Sequence, residues 1–267
     1  MKRINEVLSK KDLVDYFLRL GLKSGMIVEV HSSIKALGTI LGGAATVLDA
    51  LIEVVGYNGT IIMPMHNYAN TEPSKWQYPP VALSLIAKVR SEMPAFDRKM
   101  SDAYKMGALV EALRRKEGVV ISSHPSVAYA AWGKYAKLLC NHQSFHFALS
   151  EESATATLYA MKAHCLLLGV DYDSATCMHL AEYRSDIRPI IVEGCAINVD
   201  GKRQWKKRLD VDLDSDDFLE VFKVIEAKGY VTKQAIGTSA MKLFRIDVAI
   251  DEAIKYFDNH HIYNLYR

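Results

Sequence analysis

The stretch "MIVEVHSSIKALGTILGGAATVLDALIEVVGYNGTIIMPMHN", residues 26–67, decides the fold class because a strand, a helix and a second strand follow one another in it. Residues 26–33 and 59–67 are short apolar runs, which predict two buried strands. Between them, residues 45–56 carry apolar side chains at helical spacing and end at a glycine, which predicts a helix. Alternating strand and helix periods are typical of a layered α/β protein.

The same alternation continues on both sides of this stretch. We expect helices at 10–22, 81–96, 104–118, 132–142 and 153–163, a strand at 164–170, and closing helices at 215–228 and 239–257. The predicted helix at 81–96 interrupts a long loop over 68–101, and the segment 201–218 is polar. No internal repeat or low-complexity linker divides the chain, so we expect a single domain over residues 1–267, with at most two lobes.

Composition narrows the possible partners. The 267 residues are 50% hydrophobic, and 33 basic against 31 acidic side chains leave a net charge of +2, which does not favour nucleic acid as a partner. The N-terminus carries charges throughout instead of a signal-peptide core, and no apolar run reaches the length of a membrane span. We therefore expect a cytoplasmic protein whose four cysteines are free thiols.

The turn between the first strand and its helix, "VHSSIKALGTILGGAATVLDAL" (30–51), is the first candidate binding element. Unpaired N–H groups and the helix dipole make a helix N-terminus attractive to anions, and Gly42 and Gly43 would let a phosphate approach closely. The turn matches neither a Walker loop nor a GxGxxG fingerprint. A tight turn with small residues for packing explains the same letters equally well.

The segment "GVDYDSATCMHLAE" (169–182) places polar side chains directly after a buried strand. If Asp173 or Ser174 caps a helix that begins at 175, then Thr176, His179 and Glu182 fall within about 120° of its surface. A neutral histidine is the usual general base near pH 7, and a neighbouring carboxylate fixes its tautomer. A structural histidine held by hydrogen bonds remains the alternative.

The residue types of this segment are also compatible with two other chemistries. Cys177 and His179 are a possible nucleophile and base, but two positions apart on a helix they point about 200° away from each other, so we interpret Cys177 as a core residue. Asp171, Cys177 and His179 match no zinc signature and leave a fourth ligand unassigned. We therefore predict no metal site.

Six segments in order resemble the aminoglycoside 3-N-acetyltransferase family. They are "VHSSIKALGTILGGAATVLDAL", "GTIIMPMHN", "FDRKMSDAYKMGALVEALR", "SSHPSVAYAAWG", "LLLGVDYDSATCMHLAEYR" and "IGTSAMKLF", between about residues 26 and 244. The resemblance implies a layered α/β/α fold with a central mixed sheet, distinct from the GCN5-related acetyltransferases. It also implies transfer of an acetyl group from acetyl-CoA to an amine.

The resemblance assigns roles by matching positions. His179 corresponds to the family's active-site histidine, here the general base, Glu182 to its carboxylate, and Thr176 to a hydroxyl in the same segment. The positions that match the acetyl-CoA site are His31, Ser32 and Ser33 along the CoA arm, Gly42, Gly43 and Ala44 beside the phosphates, and Met63, Pro64 and Met65 near the pantetheine. His124 and Pro125 match a histidine-proline element that we interpret as site architecture.

The acceptor is the least determined partner. The resemblance implies the 3-amino group of a 2-deoxystreptamine aminoglycoside, and Asp171, Asp173 and Asp186 are candidate ligands for such a polycation. Two segments depart from the family pattern, "EGVVISSHP" (117–125), which lacks an arginine, and "HFALSEESATATLY" (146–159). An amino sugar attached to a nucleotide is therefore an alternative acceptor, and a non-catalytic protein that binds CoA or an amine is the alternative from another class. The oligomeric state is not indicated.

Overall fold

The structure is a computed structural model that describes residues 7–103 and 105–260. Within those residues, seven strands form one sheet. Their order across the sheet is β3 (Val120–Ile121), β4 (Val127–Gly133), β2 (Thr60–His66), β1 (Ile27–Ser32), β5 (His164–Leu168), β9 (Ser239–Arg245) and β8 (Val231–Ile236).

The sheet is mixed, as predicted. Strand β1 lies at its centre and pairs in parallel with β2 and β5, whereas β4 and β9 pair antiparallel on the outside of these strands. The carboxyl ends of β2, β1 and β5 consequently meet at one edge. Open α/β sheets bind their ligands at such an edge.

Helices cover both faces of the sheet. They are α1 (Lys10–Leu20), α2 (Gly43–Val55), α3 (Ile86–Glu92), α4 (Ala108–Arg114), α5 (Ala136–Asn141), α6 (Ala154–Ala160), α7 (His179–Ser185), α8 (Phe218–Ala227) and α9 (Ile246–Asn259). Helices α1, α2 and α4 contribute to one apolar core, and α5 to α9 contribute to the other. Consecutive residues of one strand enter different cores, as Cys165 and Leu166 of β5 do, because successive side chains of a strand point to opposite faces. The predicted α/β/α layering is confirmed.

The end of the chain differs from the prediction. Residues 239–245, expected as the start of a helix, form β9, and helix α9 begins at Ile246. Strand β9 pairs with β5 over 164–168 and with β8 on its other side, so its backbone hydrogen bonds come from partners distant in sequence. A local periodicity cannot reveal such partners.

The polar segment 201–218 also contains a strand, which pairs with the residues before it. Strands β6 (Ile190–Val199) and β7 (Lys202–Val211) form a separate two-stranded hairpin. The turn is Asp200-Gly201, with φ of 51° and 76°, and positive φ at both central residues is what a tight hairpin turn requires. Asn70 ties this hairpin to the rest of the fold, because its side chain bonds both the N–H and the carbonyl of Ala196.

The long loop that follows β2 contains less helix than expected. Helix α3 spans seven residues within the predicted 81–96, and a 3₁₀ turn spans Pro73–Lys75. No helix among the described residues has the length and apolar character that crossing a membrane requires.

Candidate active site

His179 and Glu182 form a hydrogen-bonded pair at the start of α7. His179 is the first residue of this helix and Glu182 lies one turn later, with 2.5 Å between Nδ1 and Oε2. An ionised carboxylate only accepts hydrogen bonds, so the pair places the imidazole proton on Nδ1 and leaves the lone pair on Nε2. The helix begins four residues later than the sequence predicted, after two 3₁₀ turns at Tyr172–Ser174 and Thr176–Met178.

Glu182 is held in place from its other side as well. Its Oε1 accepts a hydrogen bond from Arg188 Nε at 3.0 Å and one from the backbone N–H of Asp214 at 2.9 Å. The carboxylate is completely buried, and a buried charge needs such partners. These contacts fix the orientation of Glu182 and, through it, of the His179 ring.

A cavity of about 490 Å³ opens beside this pair at the carboxyl edge of the sheet. The lining includes His31 and Ser32 from β1, and Pro64 and His66 from β2. The segment after β5 contributes Asp173, Ser174, Thr176 and His179. The cavity is called the cleft below. The fold therefore brings residues 31–32 and 64–66 together with residues 173–179, which lie far from both in the chain.

The turn that delivers His179 is anchored to β1. The backbone N–H of Thr176 donates to His31 Nε2 at 3.4 Å, and that of Cys177 donates to Glu29 Oε2 at 3.2 Å. Glu29 and His31 also approach each other, with 3.3 Å between Oε2 and Nε2. Strand β1 thus sets the position of the turn that carries Thr176 and His179.

Cys177 lies in the core, as the sequence analysis inferred. Its side chain is fully buried, and burial raises the pKa of the Cys177 thiol well above its usual value. Among the described residues, Glu29, His31 and Cys165 have metal-ligand atoms within 4.8 Å of one another. Burial also raises the pKa of Cys165, which works against the thiolate that a metal requires.

His66, which the sequence analysis did not select, also faces the cleft. It lies at the end of β2, and burial lowers its pKa to about 3, with His179, His31 and His124 adding to the effect. The imidazole is therefore neutral near pH 7. Its Nε2 is buried and has no hydrogen-bond partner among the described residues.

His124 has a structural environment. Its Nδ1 accepts hydrogen bonds from the backbone N–H groups of Ser126 and Val127, at 3.2 and 2.9 Å. Burial lowers the pKa of His124 to about 3, and nearby Arg208 adds to the effect. These contacts hold the backbone where β4 begins.

The glycine turn lies at the N-terminus of α2, outside the lining of the cleft. Gly42 and Gly43 have φ of 76° and 62°, and a Cβ on Gly42 would lie 2.4 Å from Thr46 Oγ1. A Cβ on Gly43 would meet no atom within 4 Å, so the space beside it is open, and Ala44 follows in the first turn. Open space at the N-terminus of a 13-residue helix fits an anionic group.

The other residues predicted to bind the cofactor lie on different faces of their strands. Ser33 donates its backbone N–H to the Leu168 carbonyl at 2.9 Å, joining the ends of β1 and β5. Met63 and Met65 are fully buried in the apolar core, whereas Pro64 between them lines the cleft. Of the three residues expected near the pantetheine, Pro64 therefore borders the cleft and the two methionines enter the core, because neighbouring side chains on a strand point to opposite faces.

The three predicted acceptor-binding aspartates also separate. Asp173 lines the cleft, but Asp171 and Asp186 lie outside its lining. Asp171 accepts the Tyr172 N–H and pairs with Lys242 at 2.5 Å, and Asp186 is an exposed residue with φ of 51° at the end of α7. Only Asp173 is retained as a candidate contact.

A second cavity of about 270 Å³ adjoins the cleft and shares His66, Tyr68, Val127, Leu149 and Leu213 with it. We call it the side cavity. Its charged lining comes from the loop after β2 and from the β6–β7 hairpin, and it comprises Glu72, Lys75, Glu193, Arg208, Asp210 and Asp212.

Comparison with known proteins identifies the family. The family model described as aminoglycoside 3-N-acetyltransferase matches residues 30–258. The chain belongs to this family. It is an acetyltransferase, as the resemblance implied.

Two curated relatives illustrate the similarity to members of the aminoglycoside 3-N-acetyltransferase family. The SPbeta prophage-derived aminoglycoside N(3')-acetyltransferase-like protein YokD of Bacillus subtilis is 37% identical over 258 residues, 96% of this chain and 95% of the relative. Aminoglycoside N(3)-acetyltransferase IX of Micromonospora chalcea is 34% identical over 219 residues, 78% of this chain and 73% of the relative.

Solved structures agree with the aminoglycoside 3-N-acetyltransferase fold. The crystal structure of YokD from Bacillus subtilis superposes with a TM-score of 0.93 at 37% identity, covering 98% of this chain and 97% of that one. AAC-VIa bound to sisomicin superposes with a TM-score of 0.85 at 26% identity, covering 96% and 100%.

In this family member, sequence reasoning missed the β6–β7 hairpin and with it Glu193, Arg208 and Asp210 of the side cavity. The signal was present, since an Asp-Gly pair at 200–201 separates two segments of ten residues that pair along their whole length. The charges of the second segment, "KRQWKKRLDV", masked its strand character.

Proposed function

We propose that this enzyme transfers the acetyl group of acetyl-CoA to the 3-amino group of a 2-deoxystreptamine aminoglycoside, with His179 as general base. The observation that carries the proposal is the His179–Glu182 pair, whose imidazole borders the cleft while its Nδ1 is held at 2.5 Å by a buried carboxylate. The family membership supports the reaction class. We retain residues 1–267 as one acetyltransferase domain within this proposal.

The proposed mechanism is direct attack in a ternary complex. The acceptor amine arrives protonated, and the lone pair on His179 Nε2 takes a proton from it, directly or through water. Glu182 stabilises the imidazolium that forms. The amine nitrogen then bonds to the thioester carbonyl carbon and the carbon–sulfur bond breaks. The second proton of the attacking nitrogen passes to the departing sulfur, so the products are the amide and the CoA thiol, and the imidazolium returns its proton to solvent.

The segment 169–182 offers no suitable nucleophile for the formation of an acyl-enzyme intermediate. The Cys177 thiol is buried, and its raised pKa disfavours the thiolate that would attack. Thr176 lines the cleft beside His179, and its hydroxyl is our candidate donor to the oxyanion of the tetrahedral intermediate.

For acetyl-CoA, the proposal uses the edge between the cleft and α2. His31, Ser32 and Pro64 line the cleft, and the open space beside Gly43 suits the phosphates. Ser33, Gly42 and Ala44 complete the set as backbone around that approach. The roles match those that the sequence resemblance implied, apart from the two buried methionines of β2.

For the acceptor, the proposal favours an aminoglycoside over a nucleotide-linked amino sugar. The curated relatives are aminoglycoside acetyltransferases or are described as similar to them, and AAC-VIa at 26% identity has been solved with sisomicin. Among the described residues, five carboxylates line the side cavity and the cleft together, against three cationic side chains, Lys75, Lys105 and Arg208. The net negative charge of this lining suits a substrate with several ammonium groups.

The deciding experiment is an acceptor panel. The enzyme is mixed with acetyl-CoA and with each of several aminoglycosides, simple amino sugars and a nucleotide-linked amino sugar, and thiol release is followed. We expect acceptor-dependent release with 2-deoxystreptamine aminoglycosides, and a product acetylated at the 3-amino group by mass spectrometry and NMR. Turnover of the nucleotide-linked sugar alone would contradict the acceptor assignment, and binding without release for every amine would contradict the enzyme assignment.

A further inference from the structure

The side cavity is lined by carboxylates that already have cationic partners within the chain. The pairs are Glu72 with Arg90 at 2.7 Å, Glu193 with Lys75 at 2.7 Å, and Asp210 with Arg208. Of the four carboxylates that line this cavity, three are therefore neutralised before any substrate binds. A polycationic acceptor has to share or displace these partners.

The two cationic partners that line the cavity differ in how firmly they are held. Arg208 is 7% exposed and also lies close to His124, whose pKa it helps to lower. The Lys75 side chain is 42% exposed, whereas its partner Glu193 is 14% exposed. An ammonium group on a flexible stem can move into solvent at little cost, but a buried guanidinium cannot.

Lys75 lies where it can be exchanged for a substrate group. It ends the 3₁₀ turn Pro73–Lys75, and Glu193 projects from β6, so the pair joins the loop after β2 to the hairpin across the cavity. The cavity shares His66 with the cleft that contains His179. An acceptor whose reacting amine lies at His179 would extend other amines toward this pair.

We infer that Lys75 is an internal counter-cation that an acceptor ammonium group displaces from Glu193, and that it thereby limits how strongly the enzyme prefers acceptors with many ammonium groups. This inference rests on the proposed function, since it concerns the acceptor of that reaction. The acceptors that this inference predicts carry at least two amines, namely the amine that reacts and an ammonium group that binds Glu193.

The test compares Lys75→Gln with Lys10→Gln. Lys10 of α1 pairs with Glu53 of α2, also at 2.7 Å. Both side chains are exposed and line neither cavity. Each variant therefore removes one positive charge from a lysine–glutamate pair. KM and Kd are measured for acceptors with one, three and five amino groups, the Kd by calorimetry. We expect Lys75→Gln to lower both constants about 2- to 5-fold for the acceptors with several amines, the range of an exposed ion pair, and to change those of the mono-amine far less. Lys10→Gln should not change this ratio.

A gain in affinity separates this role from simple damage to the fold. Glu193→Gln should act in the opposite direction and weaken acceptors with several amines, while Lys75→Arg should behave like the wild type. The inference is overturned if Lys75→Gln leaves the ratio between acceptors unchanged or weakens all of them equally, even though the wild type acetylates aminoglycosides. If the wild type neither binds nor acetylates any amine, the proposed function fails first and the inference fails with it.

Discussion

At the scale of single residues, the proposed chemistry depends on the proton that His179 takes from the acceptor amine. Its Nδ1 is committed to Glu182, and Glu182 is committed to Arg188 and to the Asp214 N–H. The ring is therefore held with Nε2 as its free nitrogen, which is the atom that the proposed mechanism uses. This arrangement makes His179 separable from substrate binding, because the residues assigned to acetyl-CoA belong to other elements.

We expect His179→Ala to lower kcat by about 10² to 10⁴, the usual contribution of a general base, while the Kd for CoA changes little. Steady-state kinetics give kcat, and calorimetry gives Kd. Cys177→Ala is the control for an acyl-cysteine route and should retain most activity. Loss of activity in Cys177→Ala with activity retained in His179→Ala would contradict direct attack.

At the scale of elements, the N-terminus of α2 is the feature that the sequence singled out and the structure keeps open. The left-handed backbone of Gly43 leaves open space next to the first turn of the helix. The substrate phosphates, if they lie there as proposed, are close to backbone N–H groups and to the positive end of the helix dipole. A negative side chain at this position would oppose them directly.

We expect Gly43→Glu to lose most of the thermal stabilisation that CoA gives the wild type, because its carboxylate occupies and repels the phosphate position. A ligand at 100 times its Kd contributes about 2.7 kcal/mol, which is several degrees in Tm. Gly25→Glu is the matched control, because Gly25 also has positive φ, 86°, and open space around it. An unchanged CoA-induced shift in Gly43→Glu would disprove the phosphate placement.

At the scale of the whole molecule, the buried histidines tie stability to pH. His66 and His124 have their pKa lowered from 6.5 to about 3 in the folded protein, mainly by burial. Between those two values the unfolded chain binds protons that the folded protein does not. The free energy of unfolding therefore decreases as the pH falls through this window, by at most about 1.4 kcal/mol per pH unit for each histidine.

We expect the free energy of unfolding, measured by urea titration at pH 7, 6, 5 and 4, to depend less steeply on pH in His66→Gln than in the wild type. Glutamine keeps a polar side chain at this site but takes up no proton. His142→Gln removes an exposed histidine and should leave the slope nearly unchanged. Equal slopes in the wild type and His66→Gln would show that His66 is not protected from protonation.

The sequence by itself determined the elements whose partners are close along the chain. The helix–strand–helix–strand order of 10–67, the buried strand at 164–168 and the polar segment that contains Thr176, His179 and Glu182 all follow from local periodicity. The family blocks, read from the same letters, supplied the mixed sheet and the reaction class. Hydrophobic periods and turn residues act over a few positions, so these features are visible without the fold.

The tertiary structure decided which side chains meet. The pairing of β9 with β5, the burial of Met63 and Met65, and the separation of Asp171 and Asp186 from the cleft depend on contacts between segments far apart in the chain. So does the side cavity, where Lys75 and Glu193 are 118 residues apart. The free energy of packing and pairing in the whole fold selects which strands lie side by side and which lysine lies opposite which glutamate. A local sequence pattern contains no information about these long-range contacts.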